Sequence, residues 1–185
     1  MVKKAEVERL FAESKKTFGR LDILINNAGI YEFAPVEGIT LENFHKQYDL
    51  NVLGLIFASQ EASRHFGPDG GSIVNISSLA STLTPPNSAV YSGTKAAVEA
   101  ATKVLAKELG PRKIRVNAVS PGMVETEGFR AAGLGETEWR KAVEAQTLLG
   151  RIGKPEDIAP AVAFFASPDS SWITGETLVI AGGFR

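Results

Sequence analysis

The chain has 185 residues, of which 44% are hydrophobic and 22% are charged. This composition is typical of a soluble globular protein, so we expect a single domain over residues 1–185. Twenty basic and twenty-one acidic side chains leave a net charge of -1, which disfavours nucleic acid and anionic membranes as partners. The absence of cysteine excludes disulfides and thiolate chemistry, and two histidines are too few for a histidine cluster. We therefore expect no metal site, no bilayer-spanning segment and a cytoplasmic protein.

The first half of the sequence alternates between helical and strand patterns. Apolar residues within residues 7–18 recur at helical spacing, and Gly19 is placed to cap the end of that helix. Residues 21–25 form a short apolar run typical of a buried parallel strand. A long helix is predicted over residues 41–65 and a second strand over residues 72–76.

The second half continues this alternation. A serine-rich loop is predicted over residues 77–84, a helix over residues 88–109 and a strand over residues 114–119. A helical or mobile cover over residues 127–147, a helix over residues 155–166 and a strand over residues 177–180 follow. Strands that alternate with helices of these lengths predict an α/β Rossmann-type fold, a doubly wound parallel sheet with helices on both faces. Ligands bind beyond the carboxyl ends of the strands in such sheets, so the polar residues after each strand are the candidates for a site.

Tyr91 and Lys95 are the first candidate pair. They lie four residues apart on a predicted helix and therefore project from the same face. A fixed ammonium close to a phenol favours the phenolate, which would lower the pKa of Tyr91 below its usual value of about 10. Such a tyrosine can act as a general acid or base near neutral pH. A solvated helix face is the alternative, and for this pair alone it is the more common interpretation.

Ser78 favours the catalytic interpretation, because it follows a predicted strand whose loop leads into the helix of Tyr91. A hydroxyl at this position can face Tyr91 and hold a substrate oxygen while the tyrosine transfers a proton. The alternative for any single serine is a turn that caps a helix. The presence of all three residues together indicates a catalytic site.

The order and spacing of these residues resemble the short-chain dehydrogenase/reductase family. The matching motifs are Asn26-Asn27-Ala28-Gly29, Asn51, Ser78, Tyr91-x-x-x-Lys95, Pro121-Gly122 with Thr126, and Thr174-Gly175-Glu176-Thr177. The resemblance covers essentially the whole chain and looks nearest to the branch of 3-oxoacyl-carrier-protein reductases, glucose dehydrogenases and similar ketone reductases. It implies hydride transfer between NAD or NADP and a small carbonyl or secondary alcohol substrate.

The resemblance also implies a role for each matching position. Tyr91 matches the general acid/base, Ser78 the residue that polarises the substrate oxygen, and Lys95 the residue that lowers the tyrosine pKa and binds the nicotinamide ribose. Asn51 matches a mid-helix asparagine that holds a water linking the lysine to solvent. The cofactor-binding positions that the resemblance implies are Tyr91 and Lys95; Asn26, Ala28 and Gly29 on the adenine-ribose side; and Pro121, Gly122 and Thr126 along the nicotinamide. The alternative for the adenine-ribose group is a plain tight turn, and the alternative for the nicotinamide group is a generic Pro-Gly turn.

A glycine-rich loop that binds the cofactor phosphates in the family is missing. No Thr-Gly-x-x-x-Gly-x-Gly segment occurs in the 185 residues, and neither does the residue that selects NAD or NADP. The resemblance places that loop before residue 1, within about 60 residues that form two βαβ units, so we expect an N-terminally truncated chain lacking the first strands. The alternative function is therefore a non-catalytic fragment that self-associates and binds cofactor poorly.

Substrate and assembly are the last expectations. The cover, residues 127–149, would set substrate choice and offers Phe129, Leu134 and Trp139. The resemblance implies a homo-oligomer, a dimer or tetramer, whose surfaces include the two long helices. Small residues on those helices would permit close packing between copies, or else pack on their own sheet: Ala58, Ala62, Ala96, Ala97, Ala100 and Ala101.

Overall fold

A four-stranded parallel sheet forms the centre of the computed structural model, which describes residues 3–131, 133, 135 and 137–184. The strands are β1 Ile23–Asn26, β2 Gly71–Ile76, β3 Ile114–Pro121 and β4 Thr177–Ile180, in the spatial order β1-β2-β3-β4. The register pairs Asn26 with Asn75, Ile76 with Val119 and Pro121 with Ile180. All four carboxyl ends therefore lie at the same edge of the sheet.

Helices connect these strands and cover the sheet. Their bounds are α1 Lys4–Phe18, α2 Leu41–Tyr48, α3 Leu55–His65, α4 Ala80–Leu83, α5 Ala89–Leu109, α6 Glu127–Ala131, α7 Glu138–Gln146 and α8 Pro155–Ala166. A π-helical segment, Asp49–Gly54, joins α2 to α3, and short 3₁₀ turns lie at Val36–Gly38, Gly110–Arg112 and Pro168–Ser170. No helix in the described part is both long and apolar enough to cross a membrane.

Local sequence signals explain where several helices begin and end. Gly19 adopts a φ of 81° after α1, a conformation that costs glycine little, and its N–H bonds to the carbonyl of Lys15 at 2.8 Å. The Thr40 hydroxyl accepts the N–H of Asn43 at 3.1 Å and so caps α2. Pro155 starts α8, where a missing backbone N–H has no cost.

Helices pack on both faces of the sheet. Helices α1, α3 and α5 cover one face over a core that includes Phe11, Ala62, Ile73, Ala106 and Val116. Helix α8 covers the other face through Phe165, which packs on Val74 and Val119. Neighbouring residues of a strand point to opposite faces, so Ile73 and Val74 enter different cores. This arrangement confirms the predicted doubly wound α/β sheet.

Four predicted elements need a correction, and the cover, predicted as helical or mobile, contains helices. The first strand begins two residues later than expected, because Leu21 makes only an isolated bridge to Phe66. The predicted long helix over residues 41–65 contains the π-helical segment. The serine-rich loop includes the short helix α4, and the cover folds into α6 and α7. In addition, β3 extends two residues beyond the predicted end, to Pro121.

Strand β1 forms one edge of the described sheet. It pairs with β2 alone within the described residues, and its outer side carries no strand. Two of its apolar side chains are nearly half accessible, Ile23 at 43% and Ile25 at 47%. Strand β1 is therefore an accessible edge of the sheet that the described residues form.

Candidate active site

Helix α5 carries the candidate pair Tyr91 and Lys95 to the carboxyl edge of β2. The ammonium of Lys95 donates to the carbonyl of Ile76 at 2.9 Å, the last residue of that strand, and lies 5.8 Å from the centre of the Tyr91 ring. Lys95 is only 7% exposed, and this burial lowers its pKa from 10.5 to about 8. The structure therefore brings together the two residues that the spacing places on one helix face.

Tyr91 differs from the prediction in its acidity. Burial raises its pKa above 10, and a hydrogen bond with Ser78 opposes this rise without reversing it. The prediction that Lys95 lowers the tyrosine pKa is wrong for this structure, because the loss of water around the phenol dominates. The ammonium is directed to a backbone carbonyl. A raised pKa keeps Tyr91 protonated at neutral pH, where it is a proton donor.

Ser78 joins this pair from the loop after β2. Its hydroxyl accepts the N–H of Ala80 at 3.2 Å, which fixes the turn that starts α4. The same side chain interacts with Tyr91. The predicted proximity of Ser78 and Tyr91 is thus present, and the alternative role of Ser78 in a turn is present as well.

Asn51 is buried in the π-helical segment, 2% exposed. Its amide nitrogen donates to the carbonyl of Ile30 at 2.8 Å and to the Thr94 hydroxyl at 3.1 Å, while its oxygen accepts the N–H of Ile30 at 2.9 Å. The Thr94 hydroxyl in turn donates to the carbonyl of Tyr91 at 2.7 Å. Asn51 therefore ties the loop after β1 to the helix of Tyr91, and π-helical turns are frequent at functional sites.

The predicted cofactor positions after β1 separate into two kinds. A side chain on Gly29 would place its Cβ 3.3 Å from Asn51 Oδ1 and 3.6 Å from Lys95 Nζ, so this exposed backbone borders the site. Ala28 is exposed beside it. The amide nitrogen of Asn26 instead donates to Ser59 and Asn75, at 3.1 and 2.8 Å. Asn26 therefore joins β1 to α3 and β2.

The predicted positions after β3 lie at the neighbouring strand end. The carbonyl of Pro121 accepts the N–H of Leu79, which connects it to the loop of Ser78. Gly122 packs so closely on β4 that a Cβ would lie 2.8 Å from that of Ala181. Thr126 is exposed, and its hydroxyl accepts the N–H of Phe129 at 3.1 Å. The described contacts of Thr126 belong to the start of α6, and none of them reaches Tyr91.

The cover contributes less to this site than expected. Phe129 is 5% exposed and packs with Val143 and Ile152, so it forms the core of the cover. Trp139 is half exposed on α7, and Leu134 lies outside the described residues. A cavity of about 250 Å³ lies under the cover, next to the ends of β3 and β4. The described part of the chain contains no cluster of acidic or histidine side chains suited to a metal ion.

Three residues near Tyr91 escaped the sequence reasoning. The rings of Tyr31 and Phe33 meet the Tyr91 ring edge-to-face, with centroid distances of 6.2 and 5.9 Å. Gln47, which is fully buried, holds the backbone of Glu32 between them. The available signals were two aromatic residues within four positions after the Asn-Asn-Ala-Gly motif and a glutamine four residues before Asn51.

Comparison with known proteins identifies the family. Residues 2–185 match the family described as enoyl-(acyl carrier protein) reductase. An uncharacterised oxidoreductase of Methylorubrum extorquens is 55% identical over 168 residues, which are 91% of this chain and 67% of that protein. A solved variant of a Serratia marcescens short-chain dehydrogenase/reductase is 38% identical with a TM-score of 0.91, over 98% of this chain and 73% of the other. The chain belongs to the short-chain dehydrogenase/reductase family.

A further solved member of the short-chain dehydrogenase/reductase family holds a cofactor. It is a gluconate 5-dehydrogenase of Burkholderia cenocepacia in complex with NADP and tartrate, 32% identical with a TM-score of 0.93, and the match covers 98% of this chain and 71% of the other. The family resemblance, the Rossmann-type fold and the oxidoreductase class predicted from the sequence are confirmed. The family uses NAD or NADP.

Proposed function

We propose that this chain transfers hydride between NAD(P) and a carbonyl or secondary alcohol, with Tyr91, Ser78, Lys95 and Asn51 as its catalytic residues. The main support is the meeting of the half-buried Tyr91 with Ser78 and Lys95 at the carboxyl edge of the sheet. Two hydroxyl donors close to each other suit a substrate oxygen that gains negative charge. Lys95, one helical turn away, places a cation beside them.

The residues around Lys95 fit the nicotinamide-ribose end of the cofactor. An ammonium has three donors, and the carbonyl of Ile76 accepts one of them, so two can bind ribose hydroxyls. Gly29, which the resemblance assigns to the adenine-ribose side, lies beside this ammonium instead and leaves open space there because it has no side chain. Pro121 and Gly122 would border the nicotinamide from the next strand end. When bound, the reduced nicotinamide supplies a hydride to the carbonyl carbon.

The chain's own groups handle the proton and the developing charge. Tyr91 donates its phenolic proton to the substrate oxygen as that oxygen becomes an alkoxide. Ser78 donates a hydrogen bond to the same oxygen and stabilises its charge. Alcohol oxidation requires a deprotonated Tyr91 to accept the hydroxyl proton, so the raised pKa of Tyr91 favours this direction only at high pH. Asn51 holds the backbone of residue 30 and helix α5 in place through Ile30 and Thr94.

Replacement of Tyr91 by phenylalanine tests this proposal. The assay is ketone reduction by the 185-residue chain at millimolar NADPH, followed by loss of NADPH absorbance, with an enoyl thioester as a comparison substrate. Loss of the proton donor should lower the rate by about a hundred- to ten-thousand-fold. Tyr48→Phe is the matched control, because Tyr48 lies on α2 and stacks on Phe44. A folded Tyr91→Phe chain that keeps most of its rate overturns the proposal.

Self-association as a non-catalytic chain is the second candidate function. Its support is a set of accessible apolar side chains on the helices that were predicted to form interfaces: Leu53 at 36%, Ile56 at 41% and Val104 at 52% exposed. Ala96 and Ala100 are exposed on the same helix as Val104. Ala62, by contrast, is fully buried against the chain's own sheet, so its proposed role between copies is corrected. We infer a dimer or tetramer that uses the exposed members.

A further inference from the structure

Two aromatic side chains stand beside Tyr91 and remain accessible. We call Tyr31 and Phe33 the aromatic wall. Both rings meet the Tyr91 ring edge-to-face, at 66° and 78°, and they lie 5.8 Å from one another. They are nevertheless 41% and 49% exposed, so much of their apolar surface faces outward next to the proton donor. Within the described residues, the contacts given above leave that surface accessible.

The backbone on both sides of the wall is fixed by a buried glutamine. Gln47 Oε1 accepts the N–H of Glu32 at 3.2 Å, and its amide nitrogen donates to the carbonyl of the same residue at 3.1 Å. Gln47 is 0% exposed, so this two-point contact is sheltered from water. The Glu32 side chain, in turn, bonds to Lys46 and Asn43. Residue 32, which separates the two aromatic residues, is therefore held from both sides.

The residues before and after this point are fixed in the same way. Asn51 binds both backbone groups of Ile30, and the N–H of Ala34 donates to the carbonyl of Asn87 at 2.8 Å. Alternate residues 30, 32 and 34 thus have anchored backbones, and the side chains of residues 31 and 33 reach Tyr91 between them. A loop with this many anchors is preorganised, which lowers the entropy lost when a ligand binds.

We propose that the aromatic wall recognises an aromatic ring, so that the preferred substrates are ketones or alcohols with an aryl group next to the reacting carbon. This inference rests on the proposed function. A substrate oxygen within reach of Tyr91 and Ser78 brings the adjacent substituent to Tyr31 and Phe33. Aromatic rings bind one another edge-to-face or offset-stacked more strongly than their buried area alone accounts for. Gln47 is a positioning residue for this wall.

Charge in the same loop gives no reason to expect an ionic substituent. Glu32 and Lys46 pair with each other, and this pairing lowers the pKa of Glu32 and raises that of Lys46. Both groups stay charged and satisfied near neutral pH. The loop therefore presents two aromatic rings beside Tyr91, while its charged pair of Glu32 and Lys46 is mutually satisfied.

The test compares two ketones with the same ring skeleton, 1-tetralone with its aromatic ring and 1-decalone with a saturated one. Dissociation constants for both ketones are measured by NMR titration of the 185-residue chain. The kcat and KM for the reduction of each ketone are measured at millimolar NADPH. The chain should bind 1-tetralone about tenfold more tightly than 1-decalone. In the double variant Tyr31→Leu/Phe33→Leu this preference should disappear. The KM for 1-tetralone should rise to that for 1-decalone, while kcat is retained. Phe18→Leu, which removes an exposed ring from α1, should keep it.

The outcomes separate this inference from the proposed function. Equal binding of the two ketones, or a preference that survives in the double variant, overturns the role of the wall. An equal loss for both ketones in the double variant means that the rings only shield Tyr91, and it also overturns the inference. Absence of turnover with either ketone contradicts the proposed function alone, because the binding measurement needs no reaction. Gln47→Met should raise KM for 1-tetralone more than for 1-decalone and leave kcat within about twofold.

Discussion

The burial of Lys95 predicts a rise in stability with pH. Its pKa is about 8 in the folded chain and 10.5 in its ordinary environment. Below pH 8 the lysine is charged in both states, and the folded state bears the whole cost of desolvation. Between about pH 8 and 10.5 the folded chain releases this proton while the unfolded chain keeps it. Stability therefore increases with pH across that window, because the unfolded state binds more protons.

The size of this effect follows from the two pKa values. At about 1.4 kcal/mol per pH unit, the difference between 10.5 and about 8 amounts to about 3 kcal/mol of unfolding free energy. The linkage relation assigns about 2 kcal/mol of this to the interval from about pH 7.5 to about pH 9.5. Above that interval Tyr91 acts in the opposite direction, because its pKa is raised in the folded chain and the unfolded chain loses the phenolic proton first.

Urea unfolding of three chains measures this effect. The original chain, Lys95→Met and Lys103→Met are unfolded at about pH 7.5 and about pH 9.5, and the unfolding free energies are compared within each chain. Lys103 is an exposed lysine on the same helix and serves as the matched control. The original chain and Lys103→Met should gain about 2 kcal/mol relative to Lys95→Met. Equal pH dependence in all three chains would refute the burial argument for Lys95.

Three further predictions concern packing, cofactor affinity and assembly. Gly122→Ala should destabilise the chain by about 1–3 kcal/mol in thermal or urea unfolding, because its Cβ would lie 2.8 Å from that of Ala181. Gly110→Ala is the control, because a Cβ at Gly110 meets open space. Equal stability of the two variants contradicts this prediction. The 185-residue chain contains no glycine-rich phosphate loop, so calorimetry should give a dissociation constant for NADPH weaker than low micromolar. The loss of two charge-assisted hydrogen bonds, at about 1.5–3 kcal/mol each, lowers the affinity at least about a hundredfold. A low-micromolar dissociation constant would be inconsistent with this. Light scattering at micromolar concentration should give a mass above the 19.8 kDa of one chain. Val104→Glu should reduce this mass and Lys103→Glu should not, because Val104 is an accessible apolar residue of α5. A folded original chain that is monomeric would exclude an interface on this helix.

Helix and strand positions were predictable wherever a local signal marked them. Gly19 ends α1, Pro155 begins α8, and the short run of β4 has the predicted bounds. These features depend on the residues of the segment itself. The π-helical segment around Asn51 was not predictable, because an apolar pattern of helical spacing continues through it. Its anchors, Ile30 and Thr94, lie far away in the sequence.

The proximity of Tyr91, Lys95 and Ser78 was predictable from the sequence, whereas the direction of the Tyr91 pKa shift was predicted wrongly. Spacing placed Tyr91 and Lys95 on one face, and the strand end placed Ser78 nearby. The direction of the tyrosine pKa depends on how much water the folded chain excludes, a quantity that no local pattern contains. The aromatic wall was missed for a related reason. Tyr31 and Phe33 lie in a loop without periodicity, and the contact with Tyr91 exists only after the loop is anchored by Gln47 and Asn51.

The most direct test of hydride transfer at Tyr91 follows deuterium from the cofactor. The 185-residue chain is incubated with 1-tetralone and NADPH deuterated at the transferred position, and the alcohol product is analysed by mass spectrometry. The account predicts one deuterium on the carbinol carbon, formed by the original chain and by Tyr48→Phe, and at least about a hundredfold less product from Tyr91→Phe. An alcohol without deuterium, or equal amounts from the original chain and Tyr91→Phe, would contradict it.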